Sequence, residues 1–357
     1  MRILHVITTR DGIGGAERVM EWLVRGAVEH GGDAFVLNPG ATAGADLGRV
    51  LDGAWRPLPV DGPVSLGRTL IRFRRHVSAF RPDVVHAHLP GAAALVAFAG
   101  DVGVPRLLSH QHGDHFVQVG RPVLERLDRA AGKRFDAVVG CSGFVERFLQ
   151  DRYGYDPSRI RTIRNGWSGT PLPRSPAKRP TVVCIANFRA QKRHDLLLEA
   201  FAVVRRSVPA ARLVLVGSGP LEAQARAHAH RLGLPDAVEF AGSTAHVWEV
   251  LSTAWVFALA SSYEPLGIVA LEALAAQVPV VAFDVGGLSE AVDDTLTGLL
   301  VPFPDVGGMA RAIIGLLTDD DRRQQMGARG SRAAAHHTAD VMVRDYYRLY
   351  AELAEAT

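Results

Sequence analysis

The feature that most constrains this chain is an alternation that runs almost its whole length. Short runs rich in β-branched residues are followed by longer segments with apolar residues at helical spacing. That pattern is the signature of βαβ units, an α/β class built on parallel sheets. In the first half the predicted strands are Ile3–Ile7, Asp33–Leu37, Val84–His86, Arg106–Ser109, Ala137–Gly140 and Arg161–Ile163. In the second half they are Thr181–Ala186, Arg212–Val216, Val238–Ala241, Val256–Leu259 and Val280–Phe283. Helices are predicted over Ala16–His30, Ser65–Phe80, Gly91–Asp101, Ser142–Tyr153, Arg193–Ser207, Pro220–Leu232, Gly267–Ala276 and Gly308–Asp319.

The alternation breaks once. Residues 168–180 carry four prolines and no periodicity, which reads as an interdomain linker. The 357 residues suit about two domains at roughly 150 residues each. The expected division is a Rossmann-like N-terminal domain over 1–167, the linker over 168–180, and a second Rossmann-like domain over 181–338. A C-terminal helix over 339–357, bearing Tyr346, Tyr347 and Tyr350, is expected to pack back on the N-terminal domain. Two such halves would face each other across a ligand cleft at the carboxyl ends of their strands.

Composition closes off several classes. With 48% hydrophobic and 22% charged residues, the chain is neither disordered, collagenous nor a disulfide scaffold. A net charge of +3 favours anionic ligands weakly and gives no footprint for nucleic acid. Cys141 and Cys184 lie outside any metal-type spacing and read as small buried hydrophobes in a reducing compartment. The apolar run Ile3–Ile7 is too short for a signal-peptide core, and Ala92–Ala99 is too short to span a bilayer. A cytoplasmic protein is expected. Arg68–Arg81 gathers five arginines among apolar residues. It suits either an ordinary surface helix or a peripheral contact with anionic lipid on the inner face of the membrane.

The strongest chemical constellation is Glu264-Pro-Leu-Gly-Ile-Val-Ala-Leu-Glu272, which follows the strand Val256–Leu259. The first carboxylate falls in a strand-to-helix loop. The amides of Leu266, Gly267 and Ile268 fall at a helix start, where unpaired N–H groups make an anion site. Glu272 would lie about 7–8 Å further along that helix. Without other context the same spacing suits a helix-start Glu and a surface Glu.

A second cluster opens the same half. Arg189, Lys192 and Arg193 lie within five residues after the strand Thr181–Ala186, and cations at a sheet edge suit a diphosphate. Gly12-Ile-Gly14-Gly15 follows the first strand, but Glu17 occupies the third glycine position of a dinucleotide fingerprint, and Asn38 replaces the acidic residue expected after the second strand. A dehydrogenase is disfavoured. His110, His112, Asp114 and His115 crowd one loop without a specific zinc spacing. His86 and His88 end a strand and are equally suited to lining a cleft or to packing inside. Asp319-Asp320-Asp321 reads as a solvated helix cap.

In their joint order these segments resemble glycosyltransferase family 4. The residues that carry the likeness are Gly14-Gly15-Ala16-Glu17, Pro82–His88, Ile163–Gly166, Leu213–Pro220, Glu264–Glu272 with Ala273–Val281, Gly286–Glu290 and Thr297–Val301. The resemblance implies a GT-B fold and a retaining hexosyltransferase that uses a nucleotide-sugar donor, with UDP favoured. It implies His112 near the anomeric centre and Glu264 on the donor sugar. It further implies Arg189 and Lys192 on the diphosphate, Glu272 on the ribose, backbone near Ala241 on the base, and Gly14 and Gly15 approaching the diphosphate. The commonest family pattern has Arg where Asn187 stands, so Arg189 is expected to take over that part.

The donor is a co-substrate, and neither a metal nor another cofactor is expected. The acceptor is a hydroxyl on a polysaccharide, glycolipid or natural product, with loops 40–65 and 110–125 of the N-terminal domain as its candidate surface. Three further readings stand beside this one: a nucleotide-sugar epimerase or phosphorylase on the same architecture, a non-catalytic binding or scaffold protein, and a peripheral membrane-binding module. A catalytically inactive nucleotide-sugar-binding or scaffold protein would bind donor without turnover. A pyridoxal-dependent phosphorylase would need a cofactor lysine, and Lys133, Lys178 and Lys192 offer no such context.

Overall fold

Parallel strands and the helices between them sort into two units in the computed structural model, which describes residues 1–8, 15–39, 55–58, 66–101, 103–110 and 122–356. The first unit comprises Met1–Asn165 with Ala339–Thr357, and the second Gly166–Thr338.

The first unit holds a seven-stranded sheet in the order β3-β2-β1-β4-β5-β6-β7. Its strands are β1 (Arg2–Ile7), β2 (Asp33–Pro39), β3 (Trp55–Leu58), β4 (Val84–His88), β5 (Arg106–His110), β6 (Ala137–Gly140) and β7 (Ile160–Thr162). All pair in parallel. Ile3, Leu4, Val6 and Ile7 are fully buried, as expected of a strand covered on both faces. The order reverses direction between β1 and β4. Helix α1 (Gly15–Glu29) follows β1, α2 (Leu66–Phe80) leads into β4, and α3 (Leu89–Phe98) follows it.

The second unit repeats the plan with six strands in the order β10-β9-β8-β11-β12-β13. They are β8 (Thr181–Ile185), β9 (Arg212–Val216), β10 (Val238–Gly242), β11 (Val256–Leu259), β12 (Val280–Phe283) and β13 (Gly298–Val301). The reversal falls between β8 and β11, so their carboxyl ends flank the crevice where open α/β sheets bind ligands.

The chain's last helix, Ala339–Glu355, belongs to the first unit. The Tyr347 hydroxyl donates to the Leu23 carbonyl of α1 at 3.0 Å, and Tyr346 and Tyr350 are fully buried. The proline-rich residues 168–180 are stitched to the second unit. The amides of Ser175 and Ala177 donate to the Ser252 and Thr253 carbonyls at 3.0 Å each. The Arg174 guanidinium spans the carbonyls of Leu251, Ser252 and Ala254 at 2.6–3.2 Å.

Several elements have no counterpart in the sequence reading. Strand β3 is a Trp-Arg-Pro-Leu edge strand, and its proline argues against a strand when read locally. Strand β13 opens on a glycine and is short. Helices Pro122–Gly132, Val247–Thr253 and Asp320–Ala334 were also not anticipated. The last of these contains Gly327 and Gly330, which weaken helix propensity. Packing explains them. A Cβ on Gly327 would strike the Gln277 carbonyl, and one on Gly330 would crowd Leu274 at 2.8 Å.

Candidate functional site

Two loops meet at the switch point of the second unit. The first follows β8 through Asn187 and Phe188 into a single tight turn, Ala190–Lys192. Arg193 then takes a left-handed conformation with φ 45° and opens the helix His194–Ser207. The second loop follows β11 through Ser261 and Glu264 to Gly267, which caps the helix Ile268–Ala275. The Ser262 amide donates to the Gln191 carbonyl at 2.8 Å, a backbone bond that locks one loop to the other.

The side chains complete the lock. The Lys192 ammonium donates to Glu264 Oε1 in a largely buried ion pair. The Ser261 hydroxyl donates to the same oxygen at 2.8 Å. A third loop, after β12, fixes the Glu264 backbone, because the Gly287 amide donates to the Glu264 carbonyl at 2.8 Å. The preceding residue, Gly286, has φ 62°, and a Cβ there would collide with that carbonyl oxygen. Glycine is therefore required beside Glu264 by both sterics and backbone conformation.

The three cations of residues 189–193 have separate fates. Arg193 is neutralised locally by Asp195 at 2.7 Å. Lys192 is committed to Glu264. Arg189 is exposed, with no side-chain hydrogen bond to any described residue. Leu266 and Gly267 are buried beside Glu264, Ile268 is half-buried, and Glu272 lies buried within the helix that follows. Ala241 is exposed in the last turn of β10, where the Ser243 hydroxyl donates to Ser218 Oγ at 2.9 Å. The structure thus brings Lys192, Glu264, Leu266, Gly267 and Ile268 to one sheet edge.

Burial sets the acid–base character of the neighbourhood. The Cys184 thiol, deep in β8, is pushed up to about 12 by burial, with Lys192 pulling down and Glu264 pushing up. It is no thiolate nucleophile. His194 is held down at about 4, chiefly by burial and then by the nearby Lys192 charge. Its ring stacks on Phe188 with centroids 4.2 Å apart, so it packs as a neutral aromatic.

In the first unit, Gly15 begins α1 and is exposed. Gly14 and His112 lie outside the described residues, as does most of the histidine-rich loop. Of the two readings open for His86 and His88, the structure takes the packed one. Register sets His5 beside His86 and Ile7 beside His88, so the three imidazoles share one face of the sheet. His5 Nδ1 and His88 Nε2 share a hydrogen bond of 3.0 Å, and His86 Nδ1 shares one of 2.7 Å with the Tyr350 hydroxyl. The cluster's nitrogens lie within 4.8 Å of one another, and among the described residues no Cys, Asp or Glu joins them. Burial holds His5 down at about 3. His86 is also held well below the ordinary range, by burial and then by the imidazoles of His88 and His5. The imidazoles of His5 and His86 are therefore neutral groups buried in the core, and among the described residues no carboxylate joins the cluster to offset a cation's charge.

Helix α2 buries Thr69, Phe73 and Val77 and turns Arg68, Ile71, Arg72 and Arg75 to solvent. Among the described residues no helix is long and apolar enough to cross a membrane. Asp319 caps the helix Asp320–Ala334 by accepting from the Arg322 amide at 2.9 Å, and Asp320 pairs with Arg323 at 2.6 Å. The acidic triplet is a helix start.

Sequence reasoning gave no role to Ser261 or Gln191, and took Gly286 only as part of a segment that carries the family likeness. The available signal was positional: a serine three residues before a loop carboxylate, and a glycine pair after the neighbouring strand.

The Glycosyl transferases group 1 family matches residues 173–333, and Glycosyltransferase Family 4 matches residues 13–167. A GDP-mannose-dependent alpha-(1-6)-phosphatidylinositol monomannoside mannosyltransferase of Mycobacterium tuberculosis is 33% identical over 283 residues, 73% of each chain. A lipopolysaccharide core biosynthesis glycosyltransferase of Rhizobium meliloti is 27% identical over 97% of this chain and 98% of its own. Among solved structures, Anabaena HepE in complex with UDP and glucose superposes with a TM-score of 0.82 at 19% identity, covering 98% of this chain and 99% of its own.

Proposed function

The chain belongs to the family 4 glycosyltransferases, with their two-domain GT-B fold, and from that premise we propose that it moves a hexosyl group from a nucleoside-diphosphate sugar to an acceptor hydroxyl with retention at the anomeric carbon. The observation that carries the donor half of this reading is the meeting of Lys192 and Glu264 at the β8/β11 switch point. One supplies a cation for a diphosphate and the other an acceptor for sugar hydroxyls, within a single hydrogen-bonded unit.

In this reading the diphosphate takes its charge compensation from Lys192, Arg189 and the first-turn amides near Gly267 and Ile268. Glu264 orients the sugar, and Glu272 and the strand end at Ala241 serve the ribose and base. The family likeness assigns Gly14 and Gly15 to the diphosphate and His112 to the anomeric centre; Gly14 and His112 lie outside the described residues. The acceptor hydroxyl attacks on the face from which the nucleoside diphosphate departs. Its proton passes to a diphosphate oxygen as the anomeric C–O bond breaks, so positioning and charge do the chemistry. Neither a metal nor a further cofactor has a part in the scheme.

UDP is the nucleotide we favour, and the GDP-mannose dependence of the M. tuberculosis relative makes GDP-mannose the competing donor. A lipid-linked acceptor would use the outward Arg68, Arg72 and Arg75 of α2 at an anionic surface. The test is a thermal-shift screen of UDP, GDP, UDP-glucose and GDP-mannose, with and without EDTA. A donor at 100 times its dissociation constant stabilises by about 2.7 kcal/mol. The expected result is a shift with one nucleotide that EDTA leaves unchanged. A folded protein that responds to none of them overturns the reading.

A further inference from the structure

We infer that Ser261 is a positioning residue for Glu264, and that its hydroxyl decides which carboxylate oxygen is presented to the donor sugar. The inference rests on the donor site proposed above and deepens it. Ser261 is fully buried at the end of β11, and its Oγ donates to Glu264 Oε1 at 2.8 Å. The Lys192 ammonium donates to that same oxygen. No hydrogen bond reaches Oε2 from any described residue. A carboxylate offers about four lone-pair directions over two oxygens. Here both internal donors converge on one oxygen and leave the other as the acceptor for a ligand.

The two donors are not equivalent. Lys192 is a cation, and a diphosphate arriving at the sheet edge competes for its three N–H groups. Ser261 is neutral, buried and out of that competition. The terminal torsion of a Glu side chain is soft and roughly two-fold, so a carboxylate that shares its lysine with a ligand needs a second anchor to keep its orientation. With the Glu264 carbonyl already held by the Gly287 amide, Ser261 supplies the side-chain half of that anchor. Orientation set before the ligand arrives is preorganisation, and its loss shows in sugar recognition rather than in nucleotide recognition.

The experiment compares Ser261→Ala with wild type by calorimetry, using UDP and GDP alone and then UDP-glucose and GDP-mannose. Hydrolysis of the donor to free sugar and nucleoside diphosphate gives a rate. Affinity for the bare diphosphate should stay within about twofold. The extra affinity conferred by the sugar, and the hydrolysis rate, should each fall about tenfold, the size expected for one lost bond to a charged group. Ser261→Thr, which keeps the hydroxyl, should recover most of both. Ser261→Cys, similar in size but a weak donor, should behave like alanine and guards against a packing defect in the alanine variant.

The inference is overturned if Ser261→Ala keeps the sugar-dependent affinity, or if diphosphate and nucleotide-sugar affinities drop together. A wild-type protein that binds nucleoside diphosphate and nucleotide sugar equally well overturns it too. A wild-type protein that binds no nucleotide at all removes the donor-site reading beneath it, which separates the two failures.

Discussion

Lys192 and Glu264 stand 72 positions apart in sequence and meet as an ion pair whose side chains are only 17% and 6% exposed. Each comes from a loop at the end of a central strand, and those strands, β8 and β11, are neighbours in the sheet. The pair therefore exists only when the sheet has its proper order. Desolvating both charges is costly, and their attraction offsets this only while both are present.

Removing one partner should expose that cost. Lys192→Met or Glu264→Leu alone should destabilise the protein by about 2–3 kcal/mol, allowing for the partial exposure of Lys192. The double variant should lose less than the sum of the two. Urea denaturation of the four proteins measures the coupling, and strict additivity would show that the pair is idle. Both single variants should also lose at least tenfold in nucleotide-sugar affinity.

Gly286→Ala tests the backbone clamp. The substitution must accommodate a left-handed φ of 62° and a collision with the Glu264 carbonyl. A loss of at least about 2 kcal/mol is expected, with donor hydrolysis falling together with the melting temperature. Wild-type activity in a stable Gly286→Ala protein would mean that Glu264 can move freely.

The histidine cluster predicts acid sensitivity in the first unit. His5 and His86 are neutral when folded and titrate normally when unfolded. For His5 the unfolded chain binds the extra proton between pH 6.5 and about 3, and His86, held down in the same direction, adds to the effect below pH 6.5, so stability rises with pH. The contribution is complete above pH 6.5 and declines by about 1.4 kcal/mol per pH unit per histidine as pH falls. Urea midpoints at pH 7.5, 6.0 and 5.0 should fall in that order. The groups that face the pair are His88, Tyr346 and Tyr350. Tyr350→Phe, which takes the hydroxyl from His86, should cost about 1–3 kcal/mol at pH 7.5.

Asp319→Ala separates a helix cap from a metal ligand. Loss of the bond to the Arg322 amide should cost about 1 kcal/mol. Nucleotide affinity should not change, with or without added Mg2+. A magnesium-dependent drop in donor affinity would return the acidic triplet to consideration as a metal site.

Much of this was legible in the sequence because buried parallel strands advertise themselves. β6, β9, β11 and β12 fall where their apolar runs predict. What escaped depends on distant contacts. The Asp320–Ala334 helix looks too polar and glycine-rich until Gly327 is seen against the Gln277 carbonyl. Strand β3 hides behind its proline. At the site, Lys192, Glu264 and the helix start could be named from local pattern. Ser261 could not, because a serine's part depends on the oxygen it meets. The histidines were the converse case: a strand end marks a candidate for a cleft, and only the register with β1 and the hydroxyl of Tyr350 show them turned inward.

The return of the last helix to the first unit has a consequence for the order of events during synthesis. The second unit is one uninterrupted stretch of chain, Gly166–Thr338, whereas the first is completed only by Ala339–Thr357. A ribosome thus emits most of the first unit early and withholds its closing piece until the second has been made. Until Tyr350 arrives, His86 lacks its hydroxyl partner and one face of the sheet lacks its cover. The half that begins first is therefore the half that finishes last, and it is the one a chaperone would have to shield in the interval.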